Sequence, residues 1–367
     1  MKPQHQKRLQ KIRKSLKSMG VSAFLISNIK NVSYLTGFTG SAGYLFITPN
    51  SQILLSDSRY LAQLQHECAE LDVDIRTAGS TMMDSVRRVA KDSKFNSIGY
   101  ESTSLTKHEY DQLASMNPNI DWVSSVGLVE SARAIKDKME IDAIRRAINI
   151  NQRAFEVIKH QLHIDQTERQ IAHNLEHQMR SFGAQGCAFD PIVGVGERSA
   201  LPHGCPGNKK VGESPFLLVD WGAKVDHYMS DLTRIIFTGK VPAKYRKIYE
   251  IVLRAQSAAI KKIRPGVSLE TVDKAARSVI ESAGFGPKFG HGLGHGFGME
   301  IHETPFISPI HEGKLSSGMV ITVEPGIYLP NLGGVRIEDD ILVTSEGCEV
   351  LSDLPRHIDE CTVDVGR

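Results

Sequence analysis

Two pairs of acidic residues, each mirrored about a turn, constrain this chain more than anything else in it. Asp220 and Asp231 flank the turn-like stretch Gly222-Ala223-Lys224-Val225-Asp226, and Glu324 and Glu338 flank Pro330-Asn331-Leu332-Gly333-Gly334. If each segment closes as a symmetric β-hairpin, Asp220 lies across from Asp231 and Glu324 across from Glu338. Like charges at opposed sheet positions repel. Two carboxylates ~4 Å apart at an effective dielectric of ~20 cost about 4 kcal/mol. A chain that folds this way must either protonate the acids or place a cation between them. The second solution predicts a metal site.

The 367 residues exceed what one hydrophobic core usually organises, which predicts two domains. A formal net charge of +2 gives no surplus of either sign, so neither nucleic acid nor an anionic membrane is expected as a partner. No apolar run approaches the ~18 residues of a membrane span. The basic segment from Lys2 to Lys17 is not followed by the apolar stretch of a signal peptide. Leu9, Ile12, Leu16 and Met19 recur there at helical spacing instead. The five cysteines (Cys68, Cys187, Cys205, Cys348, Cys361) are scattered without a CxxC pair, the pattern of reduced thiols in a cytoplasmic protein.

Along the first part of the chain, short apolar runs at 23–26, 44–47, 53–55 and 97–100 alternate with helical patterns near 60–71, 80–91 and 107–115. That alternation predicts an α/β domain over residues 1–130. The charged stretch from Arg133 to Arg146 opens a long helix with Ile141, Ile144, Ile148, Phe155 and Ile158 on one face. Further helices are expected from Thr167 to Gly183, over 244–263, and from Ser268 to Gly284. Strand-rich blocks at 189–195, 216–237, 291–303 and 320–344 separate them. Helices and antiparallel hairpins in such runs predict an α+β domain over residues 131–367.

The chemistry lies in the second domain. Asp220 ends the apolar strand Phe216-Leu217-Leu218-Val219, so its side chain leaves the core at a strand end. Pro325 inside the other hairpin predicts an edge or a bulge that re-aims Glu324. Between the hairpins, His291-Gly292-Leu293-Gly294-His295-Gly296-Phe297-Gly298 has two histidines at helical spacing. Its four glycines predict extended or looped backbone that approaches a neighbour closely. Four carboxylates carry −4, which two divalent cations balance. Oxygen donors with one imidazole suit Mn²⁺, Co²⁺ or Fe²⁺ and also admit Zn²⁺. Two such ions would hold a bridging hydroxide and polarise a carbonyl, with a carboxylate as general base. This reasoning reaches metal-assisted hydrolysis. His173 and His177 form an i,i+4 pair on a helix and are read as surface residues. His311 has no motif context.

At these residues the chain resembles the pita-bread metallopeptidases, specifically the aminopeptidase P and prolidase group, which act on Xaa-Pro bonds. The resemblance runs through Leu201-Pro202-His203, Val219-Asp220-Trp221-Gly222-Ala223, Ser230-Asp231-Leu232-Thr233-Arg234, the stretch from His291 to Glu303, Thr322-Val323-Glu324-Pro325-Gly326 and Val335-Arg336-Ile337-Glu338-Asp339. Asn31 to Gly43 and Asp57-Ser58-Arg59-Tyr60 look like the group's creatinase-type N-terminal domain. The resemblance implies metal ligands Asp220, Asp231, His295, Glu324 and Glu338, with Asp231 and Glu338 bridging two ions, usually Mn²⁺ or Co²⁺. It implies that Glu324 doubles as general base and that His203 and His302 contact substrate. His291 and Arg336 match positions beside the ligands or on the substrate side. Phe297 and Trp221 depart from the residues usual in the group, which bears on pocket shape and removes no ligand.

The expected function is an Xaa-Pro aminopeptidase acting on short peptides with proline in second place, as a homodimer. Gly40-Ser41-Ala42-Gly43 leans towards that branch. A prolidase restricted to dipeptides is the alternative. A metal-free amidinohydrolase is disfavoured because all five ligand positions hold coordinating residues, and the same fact disfavours a catalytically silent peptide-binding module on this fold.

Overall fold

The structure, a computed structural model, describes residues 2–365. It divides into two compact units, Met1–Arg133 and Ala134–Arg367. The break falls one helical turn beyond Glu130, because Glu130 lies inside a short helix, Leu128–Arg133, that belongs to the first unit. The long helix does not start at Arg133. It begins at Lys138, where the Asp137 side chain accepts a hydrogen bond from the Glu140 N–H and the Glu140 side chain accepts one from the Asp137 N–H.

The first unit is an α/β layer. Its six-stranded sheet runs in the order Asp72–Ile75, Gln52–Ser56, Tyr44–Ile47, Ala23–Ile26, Ser97–Glu101, Asp121–Ser125. Central strands are apolar on both faces (Ala23, Phe24, Leu25 and Ile26 are fully buried), as a sheet covered on both sides requires. The segment from Gly40 to Gly43 has a packing explanation. A Cβ on Gly40 would lie 2.2 Å from the Phe38 ring, and one on Gly43 would lie 3.3 Å from it. Phe38 is itself fully buried, so these glycines make room for an aromatic ring.

In the second unit one sheet is enclosed between two helix pairs. The strands Ile192–Val195, Phe216–Trp221 and Leu232–Phe237 form an antiparallel sheet with Phe216–Trp221 in the middle. Side chains alternate along a strand, and here the alternation divides the core. Leu217, Val219 and Trp221 join the core with the helices Lys138–His160 and Glu168–Ser181, where Trp221 stacks on Phe155 at 4.3 Å. Phe216, Leu218, Ile235 and Phe237 join the opposite core with the helices Ala243–Ile260 and Leu269–Ser282. A five-stranded antiparallel sheet (Glu303–Ile307, Gly294–Gly296, Val320–Val323, Asp339–Val343, Cys348–Val350) completes the unit. Among the described residues no helix is long and apolar enough to cross a membrane.

The two acid-bearing hairpins differ in register. In the first, Thr233 faces Asp220, and the ladder continues through Lys224 opposite Met229 and Val225 opposite Tyr228. The turn is Asp226-His227, both left-handed at φ 49° and 69°, the geometry of a two-residue hairpin turn. The direct opposition of Asp220 and Asp231 is therefore corrected. Asp231 precedes Thr233 by two residues, which makes it a diagonal neighbour of Asp220 on the same face. In the second hairpin, Val323 pairs with Asp339 and Gly326 with Arg336, one register in which Glu324 mirrors Glu338 as expected. Both strands break at those acids. Glu324 donates its N–H to the Leu293 carbonyl, and Glu338 donates its N–H to that of Thr233 at 3.3 Å.

Gly40→Ala is expected to destabilise the first unit by about 1–3 kcal/mol, the usual cost of overpacking. Urea unfolding checks this. An unchanged midpoint would mean that the Phe38 ring shifts freely.

Candidate metal centre

The alternation that divides the core also delivers the acids. Asp220, Thr233 and Asp231 share the face occupied deeper in the sheet by Phe216 and Leu218, but lie towards its end. The break at Glu338 brings the second hairpin onto the same spot. Thr233 donates its hydroxyl to Glu338 Oε2 at 2.6 Å and accepts from Arg336 Nε at 3.0 Å. Arg234, 1% exposed, ion-pairs with Asp339 at 2.7 Å and donates to the Glu338 carbonyl. Glu338 is thus held by backbone and side chain from the first hairpin.

Ligand oxygens of Asp220, Asp231 and Glu338 all lie within 4.8 Å of one another, and the three residues are 7%, 5% and 2% exposed. His295 stands beside them. Its Nδ1 faces the Gly296 carbonyl at 3.1 Å, which leaves Nε2 directed at Asp231 Oδ2, 3.6 Å away, and Glu324 Oε1, 3.4 Å away. The strand carrying it passes close to its neighbours. A Cβ on Gly294 would lie 2.2 Å from the Thr322 carbonyl oxygen, and one on Gly296 would lie 2.5 Å from that of Thr304. This is the close approach expected of the glycines, in strand geometry and without a helix.

The segment before His295 is tied to the helix Leu269–Ser282. Asp273, 1% exposed, receives Arg277 at 2.7 Å and the Leu293 N–H at 3.2 Å, while Arg277 donates to the Phe289 and His291 carbonyls at 3.0 and 2.8 Å. His291 Nε2 meets the Tyr328 hydroxyl at 2.9 Å, and Arg336 donates to the same hydroxyl at 3.0 Å. Arg336 also donates to Asp220 Oδ2. His203 and His302 are exposed at the cleft wall, with His302 edge-on to His295 at 4.4 Å between ring centres.

All nine residues expected in the site line one cavity of about 730 Å³, a size suited to small ligands. His173 and His311 line it too; His173 is exposed, as its surface reading expected, and the surface it lies on is the cleft wall. Thr233, Tyr328 and Asp340 escaped the sequence reading. Thr233 and Tyr328 follow Asp231 and Glu324 at even spacing, and a strict period of two would have put them on the same face. Asp340, buried and accepting the Asp231 N–H at 3.3 Å, offered no comparable signal.

Burial and mutual repulsion raise these acids. Desolvation, then Glu338, Asp220, Glu324 and Asp340, holds Asp231 well above the usual carboxylate range. Desolvation with Glu324 and Asp220 does the same for Glu338. Burial pushes Glu324 up to about 7 and His295 down to about 4, so the imidazole is neutral and free to coordinate. Asp220 Oδ1 is buried without a hydrogen-bond partner. An orphaned carboxylate oxygen, three acids with converging oxygens and a neutral imidazole together fit a divalent cation. Arg336 changes the charge count, however. With its +1 the four carboxylates leave −3 rather than −4, so charge balance alone does not fix the number of ions.

The chain matches the model of metallopeptidase family M24 over residues 142–345 and that of the creatinase/prolidase N-terminal domain over residues 8–135. It belongs to metallopeptidase family M24, with a creatinase-type domain ahead of a pita-bread catalytic domain. A solved Xaa-Pro dipeptidase from Bacillus anthracis is 36% identical, with a TM-score of 0.91 over 96% of this chain and 99% of that one. The Xaa-Pro dipeptidase of Pyrococcus horikoshii is 36% identical over 95% of this chain and 98% of its own. A solved X-Pro aminopeptidase from Thermotoga maritima is 37% identical, with a TM-score of 0.85 over 94% and 99%.

Metal removal has a signed pH dependence. Glu324 titrates near 7 in the fold against an ordinary 4.5. In the metal-free fold Glu324's contribution to stability is therefore fully present below 4.5 and is lost as pH rises through about 7. A divalent ion offsets the loss, so the gap in Tm between metal-loaded and chelator-treated protein should widen between pH 4.5 and 7. Calorimetry across that interval checks this. A constant or narrowing gap would contradict it.

Proposed function

We propose that this metallopeptidase is an Xaa-Pro dipeptidase that holds two divalent ions, Mn²⁺ foremost, on Asp220, Asp231, His295, Glu324 and Glu338. The observation that carries the reading is the buried convergence of Asp220, Asp231 and Glu338 beside His295 and Glu324. Asp231 and Glu338, whose oxygens lie within 4.8 Å of each other and of Asp220, would be shared between the ions, as the family resemblance implies. When bound, the ions would polarise the scissile carbonyl and activate the attacking water.

The remaining work belongs to the chain. Glu324, raised to about 7, is matched to take the proton of that water at neutral pH. His203 and His302 face the cleft from opposite segments and can donate hydrogen bonds to the developing oxyanion and the leaving nitrogen. Arg336 neutralises part of the acid cluster through Asp220 while its other nitrogens fix Thr233 and Tyr328, so the carboxylates keep their geometry. His291, half-buried against Tyr328, borders the substrate side.

Two observations favour the dipeptidase over the aminopeptidase expected from sequence. The relatives from Bacillus anthracis and Pyrococcus horikoshii carry the dipeptidase name. The Gly40 to Gly43 stretch, which supported the other branch, is accounted for by packing against Phe38. The Thermotoga maritima relative keeps the aminopeptidase as the competing reading.

Hydrolysis of Xaa-Pro compared with Xaa-Pro-Yaa-Zaa under Mn²⁺ decides between them. The dipeptide should be cleaved at least tenfold faster in kcat/KM, and faster cleavage of the tetrapeptide would restore the aminopeptidase. Glu324→Gln should lower kcat by about 10²-fold or more, the usual contribution of a general base. Steady-state kinetics with either substrate would show whether it does.

A further inference from the structure

His203 sits on a segment with little structure of its own. Residues 201–207, Leu201-Pro202-His203-Gly204-Cys205-Pro206-Gly207, lie outside any helix or strand. Locally the Leu201 N–H reaches the Arg198 carbonyl at 3.0 Å and the Gly204 N–H that of Leu201 at 3.1 Å. Two proline nitrogens in this stretch have no hydrogen to donate. What fixes the loop must come from outside it.

Glu168 and Arg198 supply that hold. Glu168 is the first residue of the helix Glu168–Ser181 and is 0% exposed. Its Oε1 accepts the Val195 N–H at 2.8 Å and its Oε2 the Gly207 N–H at 2.7 Å. Arg198 Nε donates to both oxygens, at 3.0 and 2.9 Å, while its Nη2 reaches across the loop to the Cys205 carbonyl at 2.7 Å. The helix start adds two more bonds, from the Glu168 N–H to the Lys209 carbonyl at 3.0 Å and from the Arg169 N–H to that of Gly207 at 3.1 Å. A Cβ on Gly207 would come within 3.1 Å of Glu168 Oε2, so the loop lies against the carboxylate. Such a hold costs the burial of the Glu168 carboxylate, with Arg198 still a third exposed, which an apolar contact could have avoided. An apolar contact would not fix the direction of the loop.

We propose that Glu168 and Arg198 are positioning residues that clamp residues 201–207 and thereby set His203 in the cleft. The clamp lies on the helix start at Glu168 and the 3-10 turn Gly196–Ala200 that precedes the loop, and contributes no side chain to the acid cluster. It therefore acts on the histidine, and the loop meets the acids through Arg336, whose Nη2 lies 3.5 Å from the Pro202 carbonyl and also donates to Asp220. The catalytic part of this inference rests on the reading of His203 given above, while the structural part does not.

The test uses the full chain with Arg198→Ala, Arg198→Lys, His203→Ala and the double variant Arg198→Ala/His203→Ala. Lysine lacks the fork by which separate arginine nitrogens span Glu168 and Cys205, and it keeps the buried carboxylate paired if the alanine variant fails to fold. Amide exchange by mass spectrometry should speed up over residues 201–209 in the Arg198 variants and stay unchanged over Phe216–Trp221. Metal content should equal that of the unmodified protein. With an Xaa-Pro dipeptide, Arg198→Ala should lower kcat by up to about 10²-fold, the scale of an ångström misplacement. The double variant should be no slower than His203→Ala.

Unchanged exchange over 201–209 in both Arg198 variants would overturn the clamp, whether or not the chain cleaves anything. Losses that multiply in the double variant would overturn the statement that the clamp works through His203. Full activity in His203→Ala would remove the catalytic half and, with it, the reading of His203 in the proposed function, while exchange still judges the clamp.

Discussion

Carboxylates that crowd together out of water cannot all remain charged unless something positive lies among them. Asp220, Asp231 and Glu338 are nearly inaccessible, and Glu324 is next to them. A single close pair at an effective dielectric of ~20 costs several kcal/mol, comparable to the whole stability of a domain, roughly 5–15 kcal/mol. Arg336 meets part of this through Asp220, and Thr233 meets part through Glu338. The remainder is left to protonation or to a cation. The diagonal placement of Asp220 and Asp231 matters here. Directly opposed acids would face each other across the shortest gap a sheet allows, whereas diagonal neighbours stand farther apart and leave room for an ion between them.

The rest of the second unit is arranged to keep that arrangement in place. Helix pairs on both faces of the central sheet fix its strands, and the acids sit towards the strand end. The buried pair Arg234–Asp339 and the pair Asp273–Arg277 carry no chemistry themselves. They hold the backbones of Glu338 and of the segment from His291 to Leu293, which in turn accepts the Glu324 N–H. Preorganised donors and ligands of this kind are what an enzyme needs, because reorganising them during the reaction would return the gain.

Much of this was legible in the sequence, for identifiable reasons. The continuous apolar run from Phe216 to Val219 marked a strand that ends on an acid, and the glycines around His295 announced close backbone contact. The second hairpin's register followed from symmetry about its turn. The first did not, because two non-glycine residues, Asp226 and His227, adopt left-handed backbone and move the turn. Nothing in the letters Asp-His announces that as strongly as Asn-Gly would. Arg336 was visible as a candidate, but its contact with Asp220 joins residues far apart in the chain, so the charge count made without it was incomplete. His173 looked like decoration because helical periodicity gives a face and not what the face borders.

The central claim is that a divalent cation occupies the space among these acids, and anomalous diffraction from crystals grown with Mn²⁺, collected at the manganese edge, tests it most directly. The account predicts two peaks enclosed by Asp220, Asp231, His295, Glu324 and Glu338, both absent after chelation and weakened in Asp231→Asn. A map without a peak among these side chains, from protein that still hydrolyses an Xaa-Pro dipeptide in chelator, would contradict it.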